Sequence, residues 1–170
     1  MGWQKKVFNT DGLPIEEEYD LVVVGAGISG LAAAWFFSGQ FAQAIHAWQQ
    51  VVDLAPLASS FSNLGTAYYF NADYAKAELM YQQALSNSSE DYTIWTNLAD
   101  VLDVQSVRQH EALPLYQKAL ALAERNLAVD AKSQTLLSQI SRLQSELQQC
   151  EAAEQTQQSM QLANQTDFYL

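Results

Sequence analysis

Basic residues are what this 170-residue sequence has least of: eight Lys and Arg stand against 19 Asp and Glu, a formal net charge of −11. Phosphate backbones are held by clustered Lys and Arg that release counterions, so nucleic acid is excluded as a partner. Cys150 is the only cysteine, which rules out an intramolecular disulfide and a thiolate metal cluster. The only histidines, His46 and His110, are far apart in the sequence, so no metal site is expected. Three prolines and seven glycines are too few for an all-β domain, which needs a turn signal about every 8–12 residues. Long apolar runs are missing as well, apart from residues 21–37, which carry no charge. That stretch falls short of the ~20 residues a bilayer span requires. It also contains Gly25, Gly27 and Gly30, and it follows the acidic Glu16, Glu17, Glu18 and Asp20 rather than a basic flank, so no membrane span is expected. Gly2 stands where a myristoyl group would attach, but Lys6 occupies the place where that signal needs Ser or Thr, and lipidation is rejected. A cytoplasmic location is expected.

What the chain does have is a hydrophobic content of 49% with 16% charged residues, enough for one domain with a real core. With β structure disfavoured, helices are the first expectation. The exception is residues 19–37, YDLVVVGAGISGLAAAWFF. A β-branched run at 21–24 meets Gly25, Gly27 and Gly30, and Ala34 follows where a helix must lie close to a strand. Such glycines permit a tight turn and let a pyrophosphate approach backbone N–H groups at the positive end of a helix. The segment resembles the amino-terminal FAD-binding fingerprint of flavin-dependent amine oxidases and related oxidoreductases. The resemblance implies FAD held by Gly25, Gly27 and Gly30, with Asp53 on the ribose at the end of a second strand, residues 50–53. Nothing after that point alternates strands with helices, so the segment is read as a short extended lead and a first helix. The FAD-binding oxidoreductase fragment is carried as the alternative.

A second pattern covers most of the chain. Ser38-Gly39-Gln40-Phe41-Ala42-Gln43-Ala44 is echoed by Asn71-Ala72-Asp73-Tyr74-Ala75-Lys76-Ala77, a shift of 33 residues. Four residues beyond each second alanine stands a large aromatic, Trp48 and Tyr81, and a third copy supplies Ala112 and Tyr116. The pattern resembles the tetratricopeptide repeat, a family of paired antiparallel helices with a period of about 34. Phe61, Leu64, Gly65 and Tyr68 match its first helix in the middle copy, and Tyr74, Ala77, Tyr81 and Ala84 its turn and second helix. Trp95, Leu98, Ala99 and Leu102, then Ala112, Tyr116 and Ala119, form the third copy, with a longer, glycine-free turn at 104–110. In the first copy Ile28, Leu31, Ala32 and Trp35 take the first-helix positions, and Ala44, Trp48, Val51 and Pro56 the second. Gly65 and Ala77 are expected where the helices cross most closely.

The expected fold is therefore all-α: a right-handed solenoid of tetratricopeptide-like hairpins with a short N-terminal extended segment. Residues 1–24 form the lead with an orphan strand, residues 25–125 three hairpins, and residues 126–170 a degenerate fourth hairpin or a long Gln-rich helix. In the last part Leu136, Ile140, Leu143, Leu147 and Cys150 recur at steps of four and three, and no Gly or Pro follows Pro114. The repeat-like Glu151-Ala152-Ala153 stretch favours the hairpin, with its turn near 145–149. Residues 168–170 look like the start of another first helix, which would leave an apolar end suited to a homodimer contact.

No convergent polar set marks an enzyme, and neither histidine has the neighbours of a base or ligand. Cys150 is expected to be a packing residue. The resemblance implies instead a scaffold that binds a protein or peptide in the concave groove lined by first helices. Carried onto this chain, the groove positions are Ser59, Ser62, Asn63, Thr66 and Tyr69, then Thr93, Thr96, Asn97 and Asp100, with Ser29, Ala33 and Phe36 from the first copy. Asn63 and Asn97 would hydrogen-bond a partner's backbone. The lysine and arginine clamp by which some family members hold a terminal carboxylate is missing, the only basic residue near the second copy being Lys76, on the other helix. With a charge of −11, a neutral or basic partner is expected. No cofactor is required for this reading. The array also resembles those appended to bacterial signalling and regulatory proteins.

Overall fold

The turn motifs are where the chain reverses. A computed structural model describes residues 27–166, so the expected strand at 21–24, Gly25, and the helix start at 168–170 lie outside the described residues. Within them α1 (Gly27–Phe37), α2 (Phe41–Leu54), α3 (Ala58–Phe70), α4 (Tyr74–Asn87), α5 (Tyr92–Asp103), α6 (Ala112–Val129) and α7 (Gln134–Thr166) follow in order, with a 3-10 turn at Gln109–Glu111 before α6. Each helix packs on the next, and α3 also touches α5. This is the expected all-α stack of helical hairpins.

Repetition extends to the backbone of the turns. Gly39 and Ala72, 33 residues apart, are both left-handed, with φ of 76° and 59°. The N–H groups of Gly39 and Gln40 donate to the carbonyls of Phe36 and Trp35 at 3.0 and 2.8 Å. Those of Ala72 and Asp73 donate to Tyr69 and Tyr68, both at 2.9 Å. Both turns close the last carbonyls of a first helix in the same way, and glycine takes the left-handed position in one of them without a Cβ penalty. Asp73 then caps α4 by accepting from the Lys76 N–H, and Asp91 caps α5 by accepting from that of Thr93.

Between the helices, small residues recur at matching heights. Ala44, Ala77 and Ala112 are fully buried on the second helices, as are Ala32 and Ala99 on the first. Gly65 takes the position of Ala32 and Ala99, and a Cβ built on it would lie 2.9 Å from the Tyr81 ring. Tyr81 and Tyr116 are 2% and 1% exposed, so the ring of each second helix fills the space that the small residue of the first leaves open.

The last segment differs from the favoured expectation. Residues 134–166 form one helix, with no turn at 145–149, because nothing there breaks it: the stretch has no Gly or Pro. Ile140, Leu143 and Cys150 on α7 are buried with Tyr116, Ala119 and Ala123 of α6, so the four-and-three spacing is a packing seam. A further tie crosses hairpins: Arg108 in the long turn donates to Glu78 of α4 at 2.6 and 3.1 Å and to Glu111 at 2.8 Å. Lys76 is thus not the only basic residue at the second copy. The turn carries Arg108 across to a glutamate 30 positions earlier in the chain.

Candidate functional site

Side chains on one face of the first helices are set by the hairpin geometry, and they differ from copy to copy at one repeat-equivalent pair. In the second hairpin the Thr66 hydroxyl donates to the Ser62 carbonyl at 3.0 Å and accepts from the buried Tyr81 hydroxyl at 2.9 Å. In the third hairpin Asp100 and Tyr116 hold the same positions, and the Tyr116 hydroxyl donates to Asp100 at 2.8 Å. Burial pushes both phenols well above their ordinary range, with the charge of Asp100 adding to the effect at Tyr116. Each therefore stays a neutral donor that pins a second helix to the groove wall.

In the first hairpin the corresponding residues are Ala33 and Trp48, which cannot make that bond. A methyl group stands where Thr66 and Asp100 reach across, and the space it leaves is a pocket of about 250 Å³ lined by Ala33, Phe36, Phe37, Trp48, Asn63 and Thr66. Aromatic rings form one rim: Phe36 lies edge-on to Phe37, Phe41 and Phe70, and Phe41 stacks on Phe70 at 5.6 Å. Phe37 and Phe70 remain 70% and 54% exposed. The pocket offers largely apolar walls, and among its polar groups the exposed Asn63 amide has no hydrogen-bond partner among the described residues. That combination suits a bulky side chain on a segment whose backbone the amide can hold.

The expected groove residues are not all placed alike. Ala33, Phe36, Asn63 and Thr66 come together at the pocket, and Ser59, Ser62, Ser29 and Asn97 are at least partly accessible along the first helices. Tyr69 is half-buried, its ring against those of Phe70 and Tyr74. Thr93 is exposed, and its backbone N–H is held by Asp91.

Thr96 and Asp100 are corrected. Thr96 is 4% exposed and its hydroxyl donates to the Tyr92 carbonyl, so it belongs to the interior. Asp100 accepts from Arg142 of α7 at 2.9 and 2.7 Å as well as from Tyr116, so its carboxylate is taken up in docking α7. Two pocket residues, Trp48 and Phe37, were not among the expected groove positions. The signal for them was the absence of a polar residue at Ala33.

The flavin-like residues fare differently. Gly27 opens α1 and Gly30 is buried within it. Residues 50–53 lie in α2, where exposed Asp53 accepts from Gln49 one turn earlier. The second strand on which the ribose-binding role depended is therefore a helix, and Asp53 does not fit that role. His46, exposed on α2, meets the Gln50 amide at 3.2 Å. Cys150 is buried on α7 as a packing residue, 3.8 Å from Asp103.

A family model for the tetratricopeptide repeat matches residues 62–126, the second and third hairpins. Among solved structures, the type III secretion translocator chaperone SycD of Yersinia enterocolitica is 19% identical, with a TM-score of 0.66 over 75% of this chain and 91% of that one. The same chaperone in complex with a peptide of the translocator YopD gives 0.65 at 19% identity, over 75% and 92%. PcrH in complex with the chaperone binding region of PopD gives 0.64 at 18% identity, over 75% and 90%. No curated protein matches the chain significantly in sequence. At these identities the likeness establishes the fold, a stack of tetratricopeptide-type hairpins.

Proposed function

We propose that this chain is a cytoplasmic protein-interaction scaffold that binds a peptide segment of a partner protein along the first-helix face of its hairpin stack, and acts by binding rather than by catalysis. The pocket between α1, α2 and α3 carries this reading: it is apolar, bounded by exposed rings, and has at its edge an amide, that of Asn63, with no hydrogen-bond partner among the described residues. Asn63 and Asn97 are 34 residues apart at equivalent positions of α3 and α5. Neighbouring helix axes lie ~8–10 Å apart and an extended chain advances ~3.3 Å per residue, so two amides on adjacent first helices match backbone groups roughly three residues apart. SycD and PcrH, which share the fold, have been crystallised with segments of partner proteins, which supports a peptide as the ligand class.

The net charge of −11 favours a neutral or basic segment. Among the described residues no helix is long and apolar enough to cross a membrane. Self-association through the C-terminal end is a separate proposal, to be read from sedimentation. The binding role needs no cofactor, and a colourless preparation that stays unchanged on addition of FAD is expected.

The test uses a peptide selected on the intact chain from a random display library. Asn63→Ala combined with Asn97→Ala removes two backbone hydrogen bonds of about 1 kcal/mol each and should weaken that peptide roughly tenfold or more with the melting temperature unchanged. Equal affinity for the double variant would remove these amides from the binding role.

A further inference from the structure

Resting on the peptide groove proposed above, we infer that Arg142 is a resident plug of its third copy: the guanidinium holds Asp100 until a lysine or arginine of the bound segment replaces it, and then turns to Glu146. Asp100 is the repeat equivalent of Ala33 and Thr66, which both line the pocket. Tyr69 of the preceding hairpin, an expected groove residue, senses the pair. Burial raises its phenol, and the charge of Asp100 raises it further while that of Arg142 opposes the rise. The ion pair therefore lies close to the groove side of α3.

Two features separate Arg142 from a structural tie. The first is that α7 does not depend on it. The side chains of Arg142 and Asp100 are 43% and 22% exposed, and ion pairs open to water add little to stability. Ile140, Leu143 and Cys150, buried with residues of α6, hold the helix, so the guanidinium can leave without it. Asp100 keeps its place when that happens, because the Tyr116 hydroxyl donates to its Oδ1 at 2.8 Å. The second feature is an alternative acceptor on the same helix. Glu146 Oε1 lies 3.7 Å from Arg142 Nε, at the i,i+4 spacing where opposite charges meet on a helix. Arg142 thus has a paired charge in both positions.

The contact itself gives the chemistry of the ligand. Arg142 Nη2 donates to both carboxylate oxygens of Asp100 at 2.9 and 2.7 Å, so the acceptor is already oriented for a cationic N–H donor. First-helix steps from α1 through α3 to α5, at ~8–10 Å each, are crossed by an extended chain at ~3.3 Å per residue. The cation therefore belongs roughly six residues from the bulky side chain in the pocket. Arg142 competes at the high effective concentration of a tethered group. The incoming side chain reaches Asp100 only where Arg142 has left, and its apparent affinity falls by that fraction.

An exchange of this kind is read by a scan of the library-selected peptide, each position replaced in turn by arginine and by glutamine. On Arg142→Ala, arginine at one position should bind at least about tenfold more tightly than glutamine there, and on the intact chain the gain should stay below about threefold. If Arg142→Ala bound the parent peptide normally and favoured arginine nowhere, the plug would be overturned and the groove would stand. A peptide indifferent to Ala33→Leu would remove the groove, and the plug with it. The intact chain supplies a second readout, since its only arginines are Arg108, Arg125 and Arg142 and their isotope-labelled Nε–H signals are easily told apart by NMR. That of Arg142 should move when the arginine peptide binds and hold its position with the glutamine one. An Arg142 signal unmoved by the arginine peptide would also overturn the exchange.

Discussion

Gly65→Leu is expected to destabilise the protein by about 3 kcal/mol, a fall of roughly 6–12 °C in melting temperature for a chain of this size. A Cβ at position 65 would stand 2.9 to 3.1 Å from three atoms of the Tyr81 ring. That ring cannot retreat, because it is 2% exposed and its hydroxyl is tied to Thr66 on the same helix as Gly65. A leucine must push α4 away from α3 or break the Tyr81–Thr66 bond, and either route opens the second hairpin. Gly65→Ala should cost less, since the helix gains about 1 kcal/mol of propensity over glycine against the same first contact. A calorimetric series from Gly through Ala to Leu measures this. A silent leucine variant would mean that the helices are not packed on each other at Gly65.

Ala33→Leu should have the larger effect on function. The side chain at position 33 fixes whether the first hairpin has a pocket, since its equivalents Thr66 and Asp100 close the corresponding space with hydrogen bonds to Tyr81 and Tyr116. Leucine fills a pocket of about 250 Å³ in part without disfavouring the helix. The expected result is a loss of at least about tenfold in affinity for a groove peptide, some 1.4 kcal/mol, with the melting temperature held or slightly raised. Isothermal titration beside a thermal melt separates the two quantities. Unchanged affinity in a folded variant would place the ligand elsewhere.

The hairpins were legible in the sequence because the alternation of small and aromatic residues is itself the packing code: Ala44, Ala77 and Ala112 can share one environment only if the helices repeat. The pocket was half legible. Asn63, Thr66, Ala33 and Phe36 follow from the repeat register, but Trp48 carries the same signature as the buried Tyr81 and Tyr116 and reads as core. Its role depends on the missing partner at Ala33, a comparison across copies rather than a property of either residue.

Contacts made by distant segments were the least legible. Asp100 looked like a groove residue because nothing in its own repeat shows that Arg142, 42 positions later, will reach it. Thr96 looked accessible because back-bonding to the Tyr92 carbonyl leaves no mark in the pattern. In α7 two signals competed, a faint repeat motif and an unbroken run without Gly or Pro. The second prevailed because a hairpin must end a helix, and no residue there does so.

Hydrogen-exchange mass spectrometry of the chain with and without a library-selected peptide tests the binding role most directly. Slowed exchange concentrated in α1 and α3, around Ala33, Phe36, Asn63 and Thr66, and abolished by Ala33→Leu, is the predicted result. Protection confined to α4, α6 or α7, with α1 and α3 unaffected, would contradict it.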